Sequence, residues 1–209
     1  MIIEVFQDTV CPWCRIGKKN LFDAMAKWQG EPIEVRYRAY QLDPHTPKES
    51  LPFWETMAAN KGGRAAFEQM VQHAANAGAA AGISFDFSKV AAWPNTLASH
   101  TLIKCAPEAD RTRAVDAVYK AYFEDGQDIG DLEVLVSIAK DLGMDGAQVR
   151  QAIEADAKQA EIAEDIAFAR ELQITGVPFF VIDNKLALSG AHPAENFLKA
   201  FQQAQETTE

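Results

Sequence analysis

Cysteine is scarce in this chain of 209 residues: there are three, Cys11, Cys14 and Cys105. Three cysteines cannot build the disulfide framework that staples small secreted domains, and a chain of this length buries a sizeable core without one. Long apolar runs are missing as well. No stretch approaches the roughly 18 apolar residues of a membrane span, so no membrane role is expected. Basic surplus is absent: Lys+Arg number 20 against 30 Asp+Glu, a formal net charge of −10. Such a chain has little to attract a nucleic-acid backbone or an anionic lipid surface. The opening residues, Met1-Ile2-Ile3-Glu4-Val5-Phe6, lack the basic region and small-residue cleavage site of a secretory leader and read as a first strand. The expected location is therefore the cytoplasm. Repeats and low-complexity tracts are absent too. With 48% hydrophobic and 24% charged residues, the chain is too apolar for disorder.

The informative feature is Cys11-Pro12-Trp13-Cys14, which follows the apolar run 2–6 directly. Leu21, Met25 and Trp28 then recur at helical spacing, and Pro12 suits a first helical turn because its missing N–H is not needed there. Ile33, Val35, Tyr37 and Ala39 alternate with Glu34, Arg36, Arg38 and Tyr40 as a strand of period two. The opening is β-α-β. Residues 50–154 read as a long helical stretch. Its stripes include Phe67, Met70, Val71 and Ala74, then Val115, Val118, Tyr119, Tyr122 and Phe123, then Leu132, Leu135, Val136 and Ala139 capped by Asp131. A helix over 155–172 leads to Gly176-Val177-Pro178, the strand Phe179–Ile182, an Asp183-Asn184 hairpin turn and a last helix after Pro193. The predicted fold is α/β, a thioredoxin-like β-α-β…α-β-β-α core with a large inserted all-helical domain. The core occupies 1–42 and 155–209, and the insert occupies 43–154.

A thiolate attacks disulfides, and a free cysteine with a pKa of about 8.5 is only about 3% ionised at neutral pH. A helix N-terminus offers partial positive charge to a thiolate placed there. Cys11 is therefore expected to be the exposed, acidic attacking thiol, and Cys14, one turn in, the shielded thiol that resolves a mixed disulfide. Asp8 would oppose ionisation if its carboxylate lies near. Zinc is the competing use of such a pair, but it wants four ligands and a second close pair is missing. Cys105 with one of His45, His73, His100 or His192 would have to complete the set, so no metal is predicted. Cys105 is expected to be buried on an apolar helix face, and His100 is a lone histidine of unassigned role. Alone, the strand-leading Val177-Pro178 reads as an ordinary edge device, but partnered with the C-x-x-C in this order of elements it is predicted to be cis and to meet an extended substrate with its backbone.

These residues resemble the thioredoxin superfamily, specifically its DsbA-like branch and within it the cytoplasmic FrnE-like group. The matching stretches are Asp8–Lys18, Asn95-Thr96, Ala121–Phe123, Asp128–Asp131, Gly176–Phe180 and Ser189–Ala191. The resemblance implies Cys11 as nucleophile, Cys14 as resolving thiol and Pro178 as the cis-proline. The same branch holds 2-hydroxychromene-2-carboxylate isomerases and kappa-class glutathione transferases, which carry a serine at the position of Cys11. Thioredoxin and DsbA proper have a buried acid on the strand below the motif. The matching position here is Val5, with Glu4 adjacent, which leaves the proton path for resolution unassigned.

The expected function is thus thiol–disulfide exchange through Cys11 and Cys14, with Pro12, Trp13, Val177 and Pro178 contacting the thiol or disulfide substrate. No metal or organic cofactor is called for, and glutathione or a thioredoxin-type reductant is the expected electron partner. A glutathione-dependent isomerase or transferase, and a non-redox binding protein or holdase chaperone, are the alternatives.

Overall fold

A computed structural model of the protein describes residues 1–206. In chain order its elements are β1 (Ile2–Gln7), α1 (Pro12–Lys27), β2 (Glu34–Ala39), β3 (Leu51–Pro52), α2 (Phe53–Asn60), α3 (Arg64–Ala80), β4 (Ala92–Trp93), α4 (Leu97–Cys105), α5 (Arg111–Phe123), α6 (Leu132–Asp141), α7 (Gly146–Glu154), α8 (Gln159–Glu171), β5 (Phe179–Ile182), β6 (Leu186–Ser189) and α9 (Ala194–Glu206). They form two compact units. One comprises Met1–Leu42 and the chain from Asp165 onward, and the other comprises Asp43–Glu164.

The first unit is built on a four-stranded sheet of order β2-β1-β5-β6. β1 runs parallel to β2, with Val5 opposite Tyr37, and antiparallel to β5, with Val5 opposite Phe180. A central strand is covered on both faces, which is why β1 reads as an unbroken apolar run. On one face Ile3, Val5, Phe180 and Ile182 are buried along with Leu21 of α1 and Phe197 and Phe201 of α9. Phe180 meets Phe197 edge to face at 4.8 Å, a favoured aromatic geometry. On the other face Phe6 and Val181 pack against Phe168 and Ala169 of α8 and Ile174 beyond it. The β5–β6 hairpin turns at Asp183 and Asn184, both with positive φ (49° and 55°), as a type I′ turn requires.

The sheet side of α8 also carries charge. Asp165, 1% exposed, accepts hydrogen bonds from Arg38 Nη1 at 2.9 Å and from the main-chain N–H of Ala39 at 2.9 Å. Glu4 Oε1 takes Arg38 Nη2 at 2.5 Å and Nε at 3.2 Å. Glu4 thus points to the α8 face, away from the face that carries α1.

The second unit is mostly helical, with α5 supplying its most buried face (Val115, Val118, Tyr119, Tyr122, Phe123). Asp131 caps α6 by accepting from the N–H groups of Glu133 and Val134. The expectation of an all-helical insert is corrected here. Leu51–Pro52 pairs antiparallel with Ala92–Trp93, and Phe53 N–H donates to Ala91 O at 2.9 Å. Two-residue strands have no period to read, and Pro52 ends the extended segment at the start of α2. The division between units also falls at 164/165, within α8, rather than at 154/155. Residues 155–165 contain no proline or glycine, so the sequence offers no break at the place where a continuous helix passes from one unit to the other.

Candidate active site

β1 ends at Gln7, and a turn brings the chain into α1: the Cys11 N–H donates to Asp8 O at 3.1 Å. Cys11 is the N-cap residue of α1, extended at φ −93° and ψ 111°, with no side-chain cap bond. Pro12 opens the helix, and the Cys11 carbonyl starts its ladder by accepting from Cys14 N–H at 3.1 Å and Arg15 N–H at 3.4 Å. Both thiols therefore sit at the head of one helix, a turn apart, and they are hydrogen-bonded to each other.

The second side of the site comes from the loop before β5. The Val177–Pro178 peptide bond is cis. The Cys11 thiol donates to the Val177 carbonyl at 3.6 Å, and Pro178 O accepts from Gly190 N–H at 2.8 Å, tying the loop to the end of β6. Cys11, Cys14, Val177 and Pro178 thus meet in one place, with Pro12 and Trp13 half-buried beside them. One expectation is corrected: Cys11 is not exposed. It is 4% exposed and Cys14 1%. The Val177 carbonyl lies over the Cys11 sulfur, a contact across 166 residues that no local pattern announces.

Burial pushes the Cys14 thiol well above its ordinary value. The hydrogen bond with Cys11 and the charge of Cys11 raise it further, the main-chain N–H of Asp8 donated to its sulfur lowers it, and the Asp8 carboxylate raises it. A folded value above the unfolded one stabilises the reduced chain fully below the ordinary thiol value of about 8.5, and that contribution is lost as pH rises through the raised value. The urea midpoint of the reduced protein is accordingly expected to decline above about pH 8.5, and that of reduced Cys14→Ala to lack this part of the decline. Equal profiles for the two chains would contradict the assignment.

Gly17 is a site residue that pattern reading did not single out. A Cβ there would lie 2.9 Å from Pro178 Cγ and 3.0 Å from Phe180 Cζ. Its signal in the sequence is a glycine inside a helix, which costs about 1 kcal/mol relative to alanine without a packing reason. Gly17→Ala is expected to lose about 1–2 kcal/mol in urea unfolding despite its better helix propensity, because overpacking against a proline ring outweighs that gain. It is also expected to slow exchange by displacing Pro178. A stabilised, fully active Gly17→Ala would contradict this packing.

The remaining candidates lie in the second unit. His100 is 1% exposed within α4. Cys105 is half-buried rather than buried, because it is the last residue of α4 and opens onto a cavity of about 440 Å³ lined also by Lys104, Leu142 and Lys158. Burial raises its thiol, Lys158 lowers it and Glu161 raises it. Among the described residues no group of three or more His, Cys, Asp or Glu side chains is placed to hold a metal ion, and no helix is long and apolar enough to cross a membrane.

Two thiols at the head of α1 beside a cis X-Pro bond, on a sheet of this order, place the molecule among thioredoxin-fold proteins. The chain belongs to the DSBA-like thioredoxin domain family, whose model matches residues 2–202. It is similar to a probable DsbA oxidoreductase from Streptomyces coelicolor, with 32% identity, a TM-score of 0.89, and coverage of 99% of this chain and 90% of that one. It is 27% identical over 214 residues to the uncharacterized protein YwbO of Bacillus subtilis, across 98% of this chain and 97% of that protein. The cytosolic disulfide reductase DsbM from Pseudomonas aeruginosa, solved with GSH, shares the fold at 16% identity and a TM-score of 0.70, over 99% of this chain and 100% of that one. Membership of this family supports thiol–disulfide oxidoreductase chemistry in general.

Proposed function

We propose that the protein is a cytoplasmic, FrnE-like thiol–disulfide oxidoreductase in which Cys11 is the nucleophile and Cys14 the resolving thiol. The Cys11 thiolate attacks one sulfur of a substrate disulfide and expels the other as a thiolate, leaving a mixed disulfide. Cys14 then attacks Cys11 Sγ, the Cys11–substrate bond breaks, and the second substrate thiol leaves. Two electrons pass from the enzyme dithiol to the substrate, and the same steps reversed oxidise a substrate dithiol. The chemistry calls for no metal or organic cofactor. Glutathione or a thioredoxin-type dithiol returns the electrons, a reading supported by the glutathione in the DsbM structure.

The observation that carries this reading is the Cys11 sulfur held at 3.6 Å from the Val177 carbonyl with the Cys14 thiol hydrogen-bonded to it from inside α1. A backbone carbonyl at that distance is where an extended substrate would pair, so Pro12, Trp13, Val177 and Pro178 are assigned to substrate contact. The test is insulin reduction with glutathione as reductant, run beside a dithiol-oxidation assay, on wild type, Cys11→Ser and Cys14→Ser. Turnover by the wild type alone is expected. Turnover that survives in Cys14→Ser would instead favour a glutathione-dependent isomerase or transferase, whose chemistry needs no resolving thiol. Wild-type inactivity, with client aggregation suppressed even by the double serine variant, would favour a holdase.

A further inference from the structure

His192 takes no part in the exchange chemistry above, yet it is tied to the elements that build the site. Pro178 O accepts from Gly190 N–H at 2.8 Å, and two residues on the His192 N–H donates to Gly190 O at 2.9 Å. From the other side Asn20 of α1 donates through Nδ2 to the His192 carbonyl at 2.9 Å. Asn20 stands one turn beyond Gly17, where a Cβ would meet the Pro178 ring at 2.9 Å. The His192 side chain is half-buried and held by α9: Asn196 Nδ2 lies 3.0 Å from its Nδ1. An amide nitrogen only donates, so Nδ1 accepts and the neutral ring carries its hydrogen on Nε2. Among the described residues Nε2 has no partner. Turned over, the Asn196 amide offers Oδ1 instead, so one residue holds the ring in either protonation state.

We propose that His192 is a specificity-determining residue for the exchange, pairing its Nε2–H with a carboxylate of the disulfide substrate and doing so more strongly as pH falls. The inference rests on the exchange reading above. A neutral imidazole already donates from Nε2, and an imidazole gains its positive charge between about pH 8 and pH 5. The distance sets the substrate. Asn20, which fixes the His192 main chain, lies about 13 Å along α1 from Cys11 at 1.5 Å per residue. An extended peptide covers that span in about four residues, and the two pairing side chains shorten it to about three. The charged groups around the ring are few. On α1 Lys19 and Asp23 flank Asn20 and pair with each other, and on α9 Glu195 and Lys199 are exposed on either side of Asn196. Residues 172–178 and the rest of 189–193 carry no charge. The net charge of −10 sets the chain as a whole against acidic substrates, and the imidazolium offsets this locally.

The experiment measures how fast each of four disulfides oxidises the pre-reduced chain, read by intact mass, in wild type and His192→Gln. One pair is a peptide disulfide with glutamate about three residues to either side of its cysteine, and the glutamine counterpart. The other pair is glutathione disulfide and its diethyl ester. Glutamine at 192 still offers an oxygen to Asn196, and its charge does not change with pH. Thiol ionisation alters every rate with pH but cancels in the ratio within a pair. The expected acidic-to-neutral ratio in wild type is at least about threefold higher at about pH 5.5 than at about pH 8, the size of one part-exposed ion pair. In His192→Gln the ratio is expected to stay level. The pair that shows the rise identifies the source of the carboxylate, a peptide segment or a small disulfide. A level ratio for both pairs in wild type, or an equal rise in His192→Gln, overturns the proposal. If none of the four oxidises the wild-type chain, it is the exchange reading that fails. Should His192→Gln not fold, proton NMR of the His192 ring in wild type with serine analogues of the four substrates decides. A titration midpoint raised by an acidic analogue over its neutral partner supports the proposal, and equal midpoints in both pairs overturn it.

Discussion

Cys14→Ser, mixed with a disulfide substrate, is expected to stall as a covalent adduct on Cys11, with steady-state turnover falling at least about 10³-fold. That is well inside the roughly 10⁶-fold lost when a covalent catalyst is deprived of an essential member of its machinery. The reason is geometric. Cys14 is 1% exposed and hydrogen-bonded to Cys11 from one helical turn inside α1, so it is placed to attack Cys11 Sγ and not an outside substrate. Remove it and the first exchange still proceeds, but no internal thiol completes the second. Cys11→Ser is expected to lose turnover to the same extent without trapping anything, because Cys14 lies behind it. Intact-mass measurement of both variants after substrate addition separates the cases. An adduct on Cys14 in the Cys11→Ser chain, or none on Cys11 in Cys14→Ser, would reverse the assigned roles.

The second large effect is on stability. Asp165→Ala is expected to cost about 3–5 kcal/mol, the range for breaking a buried ion pair by removing one partner. Asp165 is 1% exposed and serves two donors, Arg38 Nη1 and the Ala39 N–H, both at 2.9 Å. Its loss leaves Arg38 with the Glu4 carboxylate and the Phe168 ring and takes the carboxylate from a buried main-chain N–H at the end of β2. That strand end leads through Tyr40, whose N–H donates to Gln7 O at 3.0 Å, to Leu42, whose N–H orients Asp8. The loss should therefore be felt at the site as well. Asp165→Asn, which keeps an acceptor for Ala39, is expected to lose about half as much, in line with one charge-assisted bond. Urea unfolding read as a midpoint shift at constant slope measures both. A cost below about 1 kcal/mol for Asp165→Ala would mean that the pair does not hold α8 to the sheet.

What the sequence made legible is what local pattern encodes. β1 is a short apolar run, Pro12 marks a helix start, Asp131 marks a cap, Asp183-Asn184 marks a hairpin, and the two cysteines have redox spacing. Their combination with Val177-Pro178 placed both halves of the candidate site. The rest depends on contacts far apart in the chain. Arg38 reads only as a member of the second face of an alternating strand, with Glu34, Arg36 and Tyr40, yet it lies between carboxylates 34 and 127 residues away. Cys11 reads as exposed because it stands just ahead of a helix, and the Val177 carbonyl that covers it comes from the other end of the chain. The β3–β4 pair is too short for any period, and α8 runs through the unit boundary without a breaker. Gly17 is visible as a residue, but its packing is set by Pro178, against which the helix brings it.

The most direct measurement is equilibration of the purified chain in glutathione buffers of graded ratio, with the products identified by peptide mapping. The account predicts one reversible two-electron transition that forms and opens a bond between residues 11 and 14, at a potential between about −120 and −270 mV. A chain that ends as a stable glutathione adduct, or in which those two sulfurs never join, would contradict it.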